Sequence, residues 1–411
     1  MTKLIIKYSY TYILGNYTAI ALCLLAFCVS LGTALVSLTK LFVFLVFIYN
    51  IFFKYKTYNF KNLSQHNEFF IWMFFACGWI LFTSLWSPAS LKEKFYYFTH
   101  HSRFVWIFIF YCLITTKEQA FNILRFLIYG QCFVIAISFS MWLGIEIPFT
   151  KEPLSNAIAF TSTLDQPIMT SLALISLWCL KSFWYTIYSK FIVNLIILLM
   201  SINIIFIMVG RTGYIVFFVL TFLVLLQNIP KKWWWTSFLY IIILFVSLYH
   251  LSPKFEMKIN HISYNTILYI NDKPSTTSES ARLDMWSLTL SGIKKNLVFG
   301  NGLGSISYVY KNEGGVLLDK VSQPHQQYLF WWSEFGIIGF IIMMYFFVIL
   351  FKDSKLTKIE YKNLMRFTLI SLFVTGLFNC PFFGVGVGEF FFITLSASLF
   401  LIHSDQKNKY E

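Results

Sequence analysis

Continuous apolar runs, each long enough to form a membrane-crossing helix, make up most of this chain. Hydrophobic residues account for 58% of its 411 positions and charged residues for only 12%. Soluble domains carry roughly 25% charged residues, and no water-soluble core hides this much apolar surface. The runs are unbroken, whereas the strands of a membrane barrel alternate apolar and polar residues. The sequence therefore predicts an all-α integral membrane protein, built as a polytopic helical bundle.

The lengths of these runs predict twelve transmembrane helices. They cover residues 18–36, 39–53, 69–86, 95–115, 121–143, 167–182, 190–209, 212–228, 233–250, 328–351, 366–382 and 386–403. Their spacing divides the chain into three regions. Helices 1–9 occupy residues 1–251, a helical loop domain occupies 252–327, and helices 10–12 with a short tail occupy 328–411.

Basic residues predict how the bundle is oriented. The net charge is +14, and lysines and arginines cluster at 54–61, 181–190, 231–232 and 352–366, each time after an even-numbered span. Cytoplasmic loops carry such an excess of Lys and Arg, so both termini are predicted to be cytoplasmic and the loop domain to be periplasmic. Lys92, Lys94 and Arg103 are the main exceptions. Because the basic clusters follow spans, we predict contact with membrane lipid and no nucleic-acid partner.

The long loop contains two recognisable elements. Residues 278–293 show apolar positions near helical spacing and predict an amphipathic helix. Residues 299–305 (Phe-Gly-Asn-Gly-Leu-Gly-Ser) predict a tight turn, because glycine permits positive φ angles and exposes backbone N–H groups. The seven cysteines all lie outside this loop, so a disulfide framework is not predicted there.

Three side chains are the best candidates for chemistry, and each also has a simpler explanation. Arg211 lies between two apolar runs, where an arginine usually faces a cavity or a partner, although it could snorkel to the interface. Arg282 offers a planar fork that fits phosphate oxygens, or it lies on a solvated helix face. His325 could take a proton from a hydroxyl, or it caps a helix. His100 and His101 either line the same cavity or anchor the interface.

Motifs for other chemistries are absent from the sequence. There is no H-E-x-x-H, no P-loop, no G-x-S-x-G and no Zn-type CxxC. The loop carboxylates form no Asp-x-Asp pair, so a metal-dependent transferase has little support. We predict no metal and no cofactor.

Three short motifs occur in order between residues 205 and 340. They are Gly-Arg-Thr-Gly at 210–213, Ala-Arg-Leu-Asp-Met-Trp at 281–286, and a block at 300–339 that includes Pro-His-Gln-Gln-Tyr-Leu at 324–329. Their order and topology resemble the O-antigen ligase and polymerase superfamily of bacterial envelopes. The resemblance covers most of the chain as architecture, and its specific motifs cover only this part.

The resemblance implies an inner-membrane glycosyltransferase, most simply an O-antigen ligase. Such an enzyme moves a glycan from undecaprenyl diphosphate to a sugar of the lipid A core on the periplasmic face. By resemblance, Arg211 and Arg282 bind the diphosphate and stabilise the leaving group, and His325 orients or deprotonates the acceptor hydroxyl. Direct displacement would invert the anomeric centre. Gln326 stands where family members often have Asn, and it is expected to help bind the substrate.

Three alternatives stay open. An O-antigen polymerase uses the same donor with a second lipid-linked glycan as acceptor, and the short motifs do not separate the two. A polysaccharide transporter fits twelve spans, but transporter sites tend to lie near the bilayer midplane, whereas these polar residues gather on one side. A scaffold of cell-wall assembly would leave Arg211 and His325 without a role.

Overall fold

Helices form every regular element in the part of the chain that the structure, a computed structural model, describes. That part comprises residues 17–53, 67–148, 150, 153–270, 278–314 and 321–410. The predicted all-α class is confirmed. The principal helices, α1 to α17 in chain order, are Tyr17–Cys28, Thr33–Phe53, Asn67–Phe82, Leu91–His101, Val105–Leu113, Lys117–Trp142, Asp165–Cys179, Lys181–Ile187, Lys190–Ile202, Arg211–Asn228, Trp234–Leu251, Pro253–Ile270, Ser278–Lys295, Ile306–Asn312, Gln327–Asp353, Ile359–Phe378 and Val387–Tyr410.

Eight of these helices are long and apolar enough to cross a membrane, or nine if α7 and α8, bent by 78°, form one span. The count of twelve is therefore not confirmed, although every predicted span contains a helix. α1 is short, with 12 residues. A 3-10 turn at Ser102–Phe104 divides the predicted span 95–115 into α4 and α5. α16 carries Glu360, Lys362 and Arg366 in its first turns.

Burial separates central helices from peripheral ones. α17 is the most buried of the candidate spans and packs against α5, α6 and α16. α11 is the least buried, with large apolar side chains directed outward. Such a surface is stable in lipid, because hydrocarbon tails are as apolar as these side chains. The basic cluster at 54–61, used above to predict orientation, lies outside the described residues, and the orientation stays a prediction.

A buried group of charges explains one exception in the basic-residue pattern. Arg103 is buried, and its Nη2 lies 3.7 Å from Oε1 of Glu389 on α17. Lys40 on α2 places its Nζ 2.6 Å from the same oxygen. Buried charges are stable only when they are paired. Arg103 therefore contributes to packing and is not part of a loop whose charge reports orientation.

The glycine-rich turn is confirmed and fits against a break in α15. Gly300 and Gly302 have φ angles of 73° and 93°, and Gly336 interrupts α15 with a φ of 66°. The break frees backbone groups that must find partners. The carbonyl of Ser333 accepts from Asn301 N at 2.8 Å, and the carbonyl of Glu334 accepts from Gly302 N at 2.9 Å. The turn therefore fixes α15 relative to the segment that precedes it.

Three helices lie in the described part of the predicted loop region, which covers residues 252–270, 278–314 and 321–327. α13 confirms the helix predicted over 278–293. α12 packs on α11 and α13, and α13 packs on α14 and α15. This arrangement places α13 beside the start of α15, where the candidate histidine lies. The boundaries proposed for the three regions of the chain stay predictions.

Candidate active site

His325 lies in a short connection that leads into α15, and its backbone has an unusual conformation. Its φ angle is +52°, in the left-handed region that residues with side chains seldom adopt. Gln326 forms the N-cap of α15, since its side-chain oxygen accepts the N–H of Leu329. The simpler explanation for His325 was that it caps this helix. The capping residue is instead Gln326, and His325 precedes it.

Contacts from three other elements hold this connection. The indole Nε1 of Trp286, on α13, donates to the carbonyl of Pro324 at 3.0 Å. The hydroxyl of Tyr97, on α4, donates to the carbonyl of Ser322 at 3.0 Å. Gln327 follows His325 and Gln326, and its side-chain oxygen accepts the backbone N–H of Phe382 at 3.1 Å. The position of His325 is therefore set by tertiary contacts.

Arg211 is the first residue of α10, and the glycines around it pack closely against a neighbouring helix. Gly210 and Gly213 face Pro167 at the start of α7, and a methyl group at either glycine would overlap that proline. Glycine at these two positions lets the helices approach each other closely. The Gly-Arg-Thr-Gly motif therefore has a packing role that places Arg211 at a helix start.

Replacing Gly213 with alanine is expected to destabilise the protein by about 1–3 kcal/mol, the usual cost of overpacking. Alanine is the better helix former, so the loss would come from the clash with Pro167. The thermal unfolding temperature in detergent measures the effect. Gly78→Ala is the control, because nothing lies within 4 Å of a methyl group added there. Equal unfolding temperatures for the two variants would contradict the packing role.

Arg211, Arg282 and His325 come from three separate segments, and Arg282 interacts electrostatically with each of the other two. The side chain of Arg282, on α13, is half-buried. Burial and the charge of Arg211 both lower the pKa of Arg282, while Glu279 opposes this shift. The charge of Arg282 also acts on His325. Arg282 thus lies within electrostatic range of both Arg211 and His325, and the roles of the three residues stay predictions.

The environment of His325 favours its neutral form. Burial, and secondly the charge of Arg282, lower the pKa of its imidazole from the usual value near 6.5, while hydrogen bonding to Asn379 acts in the opposite direction. Its Nδ1 is buried and has no hydrogen-bond partner among the described residues. A neutral imidazole can accept a proton on the ring nitrogen that carries no hydrogen. The ring is half-buried, so part of it is accessible.

Glu279 is a site residue that the sequence reasoning did not single out. Its carboxylate forms an ion pair with Arg211, and its other oxygen accepts from Asn265 at 3.2 Å. Glu279 precedes Arg282 by three residues, a spacing that places both on one face of the predicted helix. That spacing was an available signal. The contact of Asn379 with His325 had no such signal, because Asn379 follows α16, far along the chain.

His100 and His101 lie in an environment that differs from that of His325. His101 is fully buried, and its Nε2 lies 3.0 Å from Oε2 of Glu334 among the rings of Phe330, Phe335 and Phe383. His100 stacks near Tyr96 and Phe383. His101 is therefore a core residue whose imidazole contacts the carboxylate of Glu334. Across the described ranges, no group of three or more His, Cys, Asp or Glu side chains could hold a metal ion.

Comparison with known proteins bears on this part of the chain. A family model described as O-antigen ligase matches residues 195–344. A protein of Haemophilus influenzae (strain Rd), named only as uncharacterized, is 32% identical over 100 residues, which cover 23% of this chain and 25% of that protein. The chain thus matches about a quarter of that relative's length. Arg211, Arg282 and His325 all lie within residues 195–344, and the match over these residues supports the O-antigen ligase superfamily.

Proposed function

We propose that this protein is an O-antigen ligase, which transfers a glycan from undecaprenyl diphosphate to a sugar of the lipid A core. The family match supports a function of the O-antigen ligase or polymerase type. The observation that supports the proposal is that α13, which carries Arg282, contacts both of the other candidates' segments: its Glu279 pairs with Arg211, and its Trp286 is bonded to the peptide group before His325. Two cations beside a neutral imidazole match a reaction with an anionic leaving group and a hydroxyl acceptor.

The two arginines hold the diphosphate. Guanidinium groups bind phosphate oxygens through two parallel hydrogen bonds. Arg211 forms an ion pair with Glu279, so a bound diphosphate competes with this carboxylate for the guanidinium. As the glycosidic bond breaks, negative charge grows on the departing diphosphate. Arg211 and Arg282 are already in place to stabilise it, which is the usual source of large electrostatic catalysis.

His325 acts as the general base. The acceptor hydroxyl oxygen attacks the anomeric carbon and forms the new glycosidic bond. The bond between that carbon and the phosphate oxygen breaks, and its electron pair leaves with undecaprenyl diphosphate. The hydroxyl proton moves to the imidazole of His325. A single displacement of this kind inverts the configuration of the anomeric carbon.

The orientation predicted from the basic residues completes the proposal. It puts α13 and His325 on the periplasmic side of the inner membrane, with both termini cytoplasmic. The donor then enters from the membrane with its lipid tail in the bilayer, and the lipid A-core acceptor approaches from the same leaflet. Gln326, the N-cap of α15, lies next to the base and helps to position the acceptor.

A lipopolysaccharide profile tests the proposal. A deletion strain would carry wild type, Arg211→Ala or Lys311→Ala, each checked for expression. Lys311 is an exposed cation of α14 and serves as the charge-matched control. We expect Arg211→Ala to lose all glycan-capped core and to accumulate polymerised glycan on undecaprenyl diphosphate, while Lys311→Ala keeps the wild-type profile.

The same profile separates the alternatives. Core capped by only a single repeat in the Arg211→Ala strain would identify a polymerase. A normal profile with Arg211→Ala would contradict both glycosyltransferase readings and favour the transporter or scaffold.

A further inference from the structure

Trp286 links α13, whose Arg282 is proposed to bind the diphosphate, to the segment that contains His325, the proposed base. It lies four residues after Arg282 on α13, so both side chains project from one face of that helix. Its Nε1 donates to the carbonyl of Pro324 at 3.0 Å, the peptide group directly before His325. α13, which carries Arg282, is therefore bonded to the backbone directly before His325.

Tyr97, on α4, holds the same connection through a second hydrogen bond. Its hydroxyl donates to the carbonyl of Ser322 at 3.0 Å, and the side chain is only 5% exposed. Its ring lies against His101, the histidine that is bonded to Glu334. Tyr97 thus has a rigid support in the core, and the segment from Ser322 to Pro324 is bonded to two helices.

The backbone of His325 needs such support. A φ of +52° is seldom occupied by residues with side chains, and strained conformations persist only where the surroundings determine them. The carbonyls of Pro324 and Ser322 are two points at which other helices restrain this segment, and Cys380 adds backbone contacts at His325 and Gln326. Without these bonds, the connection can relax and move His325 away from Arg282.

We propose that Trp286 is a positioning residue for the transfer reaction, which holds His325 at a working distance from Arg282 through the Pro324 carbonyl, with Tyr97 as its counterpart on α4. This inference rests on the proposed function, because it assigns Trp286 a role in the same site. Trp286 does not touch the reacting groups itself, and it acts through the backbone of the base.

The test is the pair Trp286→Phe and Trp332→Phe. Phenylalanine keeps an aromatic ring and removes the N–H donor. Trp332 is the matched control, because its Nε1 donates to the carbonyl of Leu297 at 3.2 Å, a bond of the same type on α15. Activity would be measured in nanodiscs, with lipid-linked glycan and core lipopolysaccharide extracted from the deletion strain. Tyr97→Phe removes the bond from α4.

Trp286→Phe is expected to lower kcat by roughly ten- to a hundredfold, the size of effect seen when a catalytic group is displaced by about 1 Å. The KM for the donor should stay unchanged, because both arginines remain. The acidic limb of the pH profile should move to higher pH as His325 leaves the field of Arg282. Tyr97→Phe should shift kcat in the same direction, and Trp332→Phe should change neither quantity.

Two results would overturn the inference. One is a Trp286→Phe variant that matches Trp332→Phe in kcat and in pH profile. The other, if Trp286→Phe does not purify in a folded state, is a folded Tyr97→Phe variant with wild-type kcat and pH profile. Absence of glycan transfer by the wild-type protein would instead contradict the proposed function, so the two failures are distinguishable.

Discussion

Replacing Arg282 with alanine is expected to reduce glycan transfer by about 10²–10³-fold, the usual loss when one preorganised charge is removed from a transition-state site. The guanidinium is half-buried beside Arg211, so its charge is less screened than on the surface. Its loss leaves one arginine, already paired with Glu279, to stabilise the departing diphosphate. Initial rates of transfer in nanodiscs measure the effect.

Two variants control this prediction. Lys294→Ala removes the same charge from an exposed position on the same helix, and it should transfer at the wild-type rate. Arg282→Lys keeps the charge and loses the planar fork, so it should fall between wild type and Arg282→Ala. Wild-type transfer by Arg282→Ala would exclude a role for this residue in binding the diphosphate.

Replacing His325 with asparagine is expected to lower the rate by about 10²–10⁴-fold, the contribution of a general base. Asparagine is the better probe than alanine, because it tolerates the left-handed backbone found at this position. Binding of undecaprenyl diphosphate itself should be kept, since both arginines remain. His261→Asn, on the exposed surface of α12, is the control. A His325→Asn variant with the wild-type rate would show that another group accepts the proton.

The pH dependence gives a second test of the base. His325 works in its neutral form, so kcat/KM should rise with pH through the pKa of this imidazole and be lost as pH falls below it. Burial and Arg282 lower that pKa from 6.5, and the acidic limb should therefore lie below pH 6.5. In Arg282→Ala one cause of the shift is removed, and the limb of the residual activity should move to higher pH. A wild-type limb above pH 6.5 would contradict this account.

The membrane helices were predictable because their signal is local. Each apolar run reports its own preference for lipid, whatever its neighbours are. The count of spans was harder, since it depends on breaks within a run. The 3-10 turn at Ser102–Phe104 and the bend between α7 and α8 are two such breaks. Neither proline nor glycine marks the first of these breaks in the sequence.

The candidate site was predictable in its members and not in its contacts. Arg211, Arg282 and His325 stand out because polar residues are scarce in so apolar a chain. The pairing of Arg211 with Glu279 and the bond from Trp286 to Pro324 join residues that are 68 and 38 positions apart. Only the folded chain determines such long-range contacts. The φ of His325 is set by the same contacts, since no glycine is present there to indicate a left-handed turn.

Among the glycine residues, one structural role was predictable from the sequence and another was not. The turn at 299–305 was predictable, because three glycines in six residues indicate positive φ angles, and the structure has them. Gly210 and Gly213 look alike in the sequence, yet their role is to let Pro167 approach. The residue type alone does not distinguish conformational freedom from close packing.

We propose that Arg211, Arg282 and His325 together transfer a glycan from undecaprenyl diphosphate. The most direct measurement uses purified protein in nanodiscs, with lipid-linked glycan and core lipopolysaccharide from the deletion strain, and follows both capped core and released undecaprenyl diphosphate. We predict equal amounts of the two products with wild type, and formation of both products slowed by about a hundredfold or more with Arg282→Ala or His325→Asn. Capped core at the wild-type rate from either variant would contradict the account.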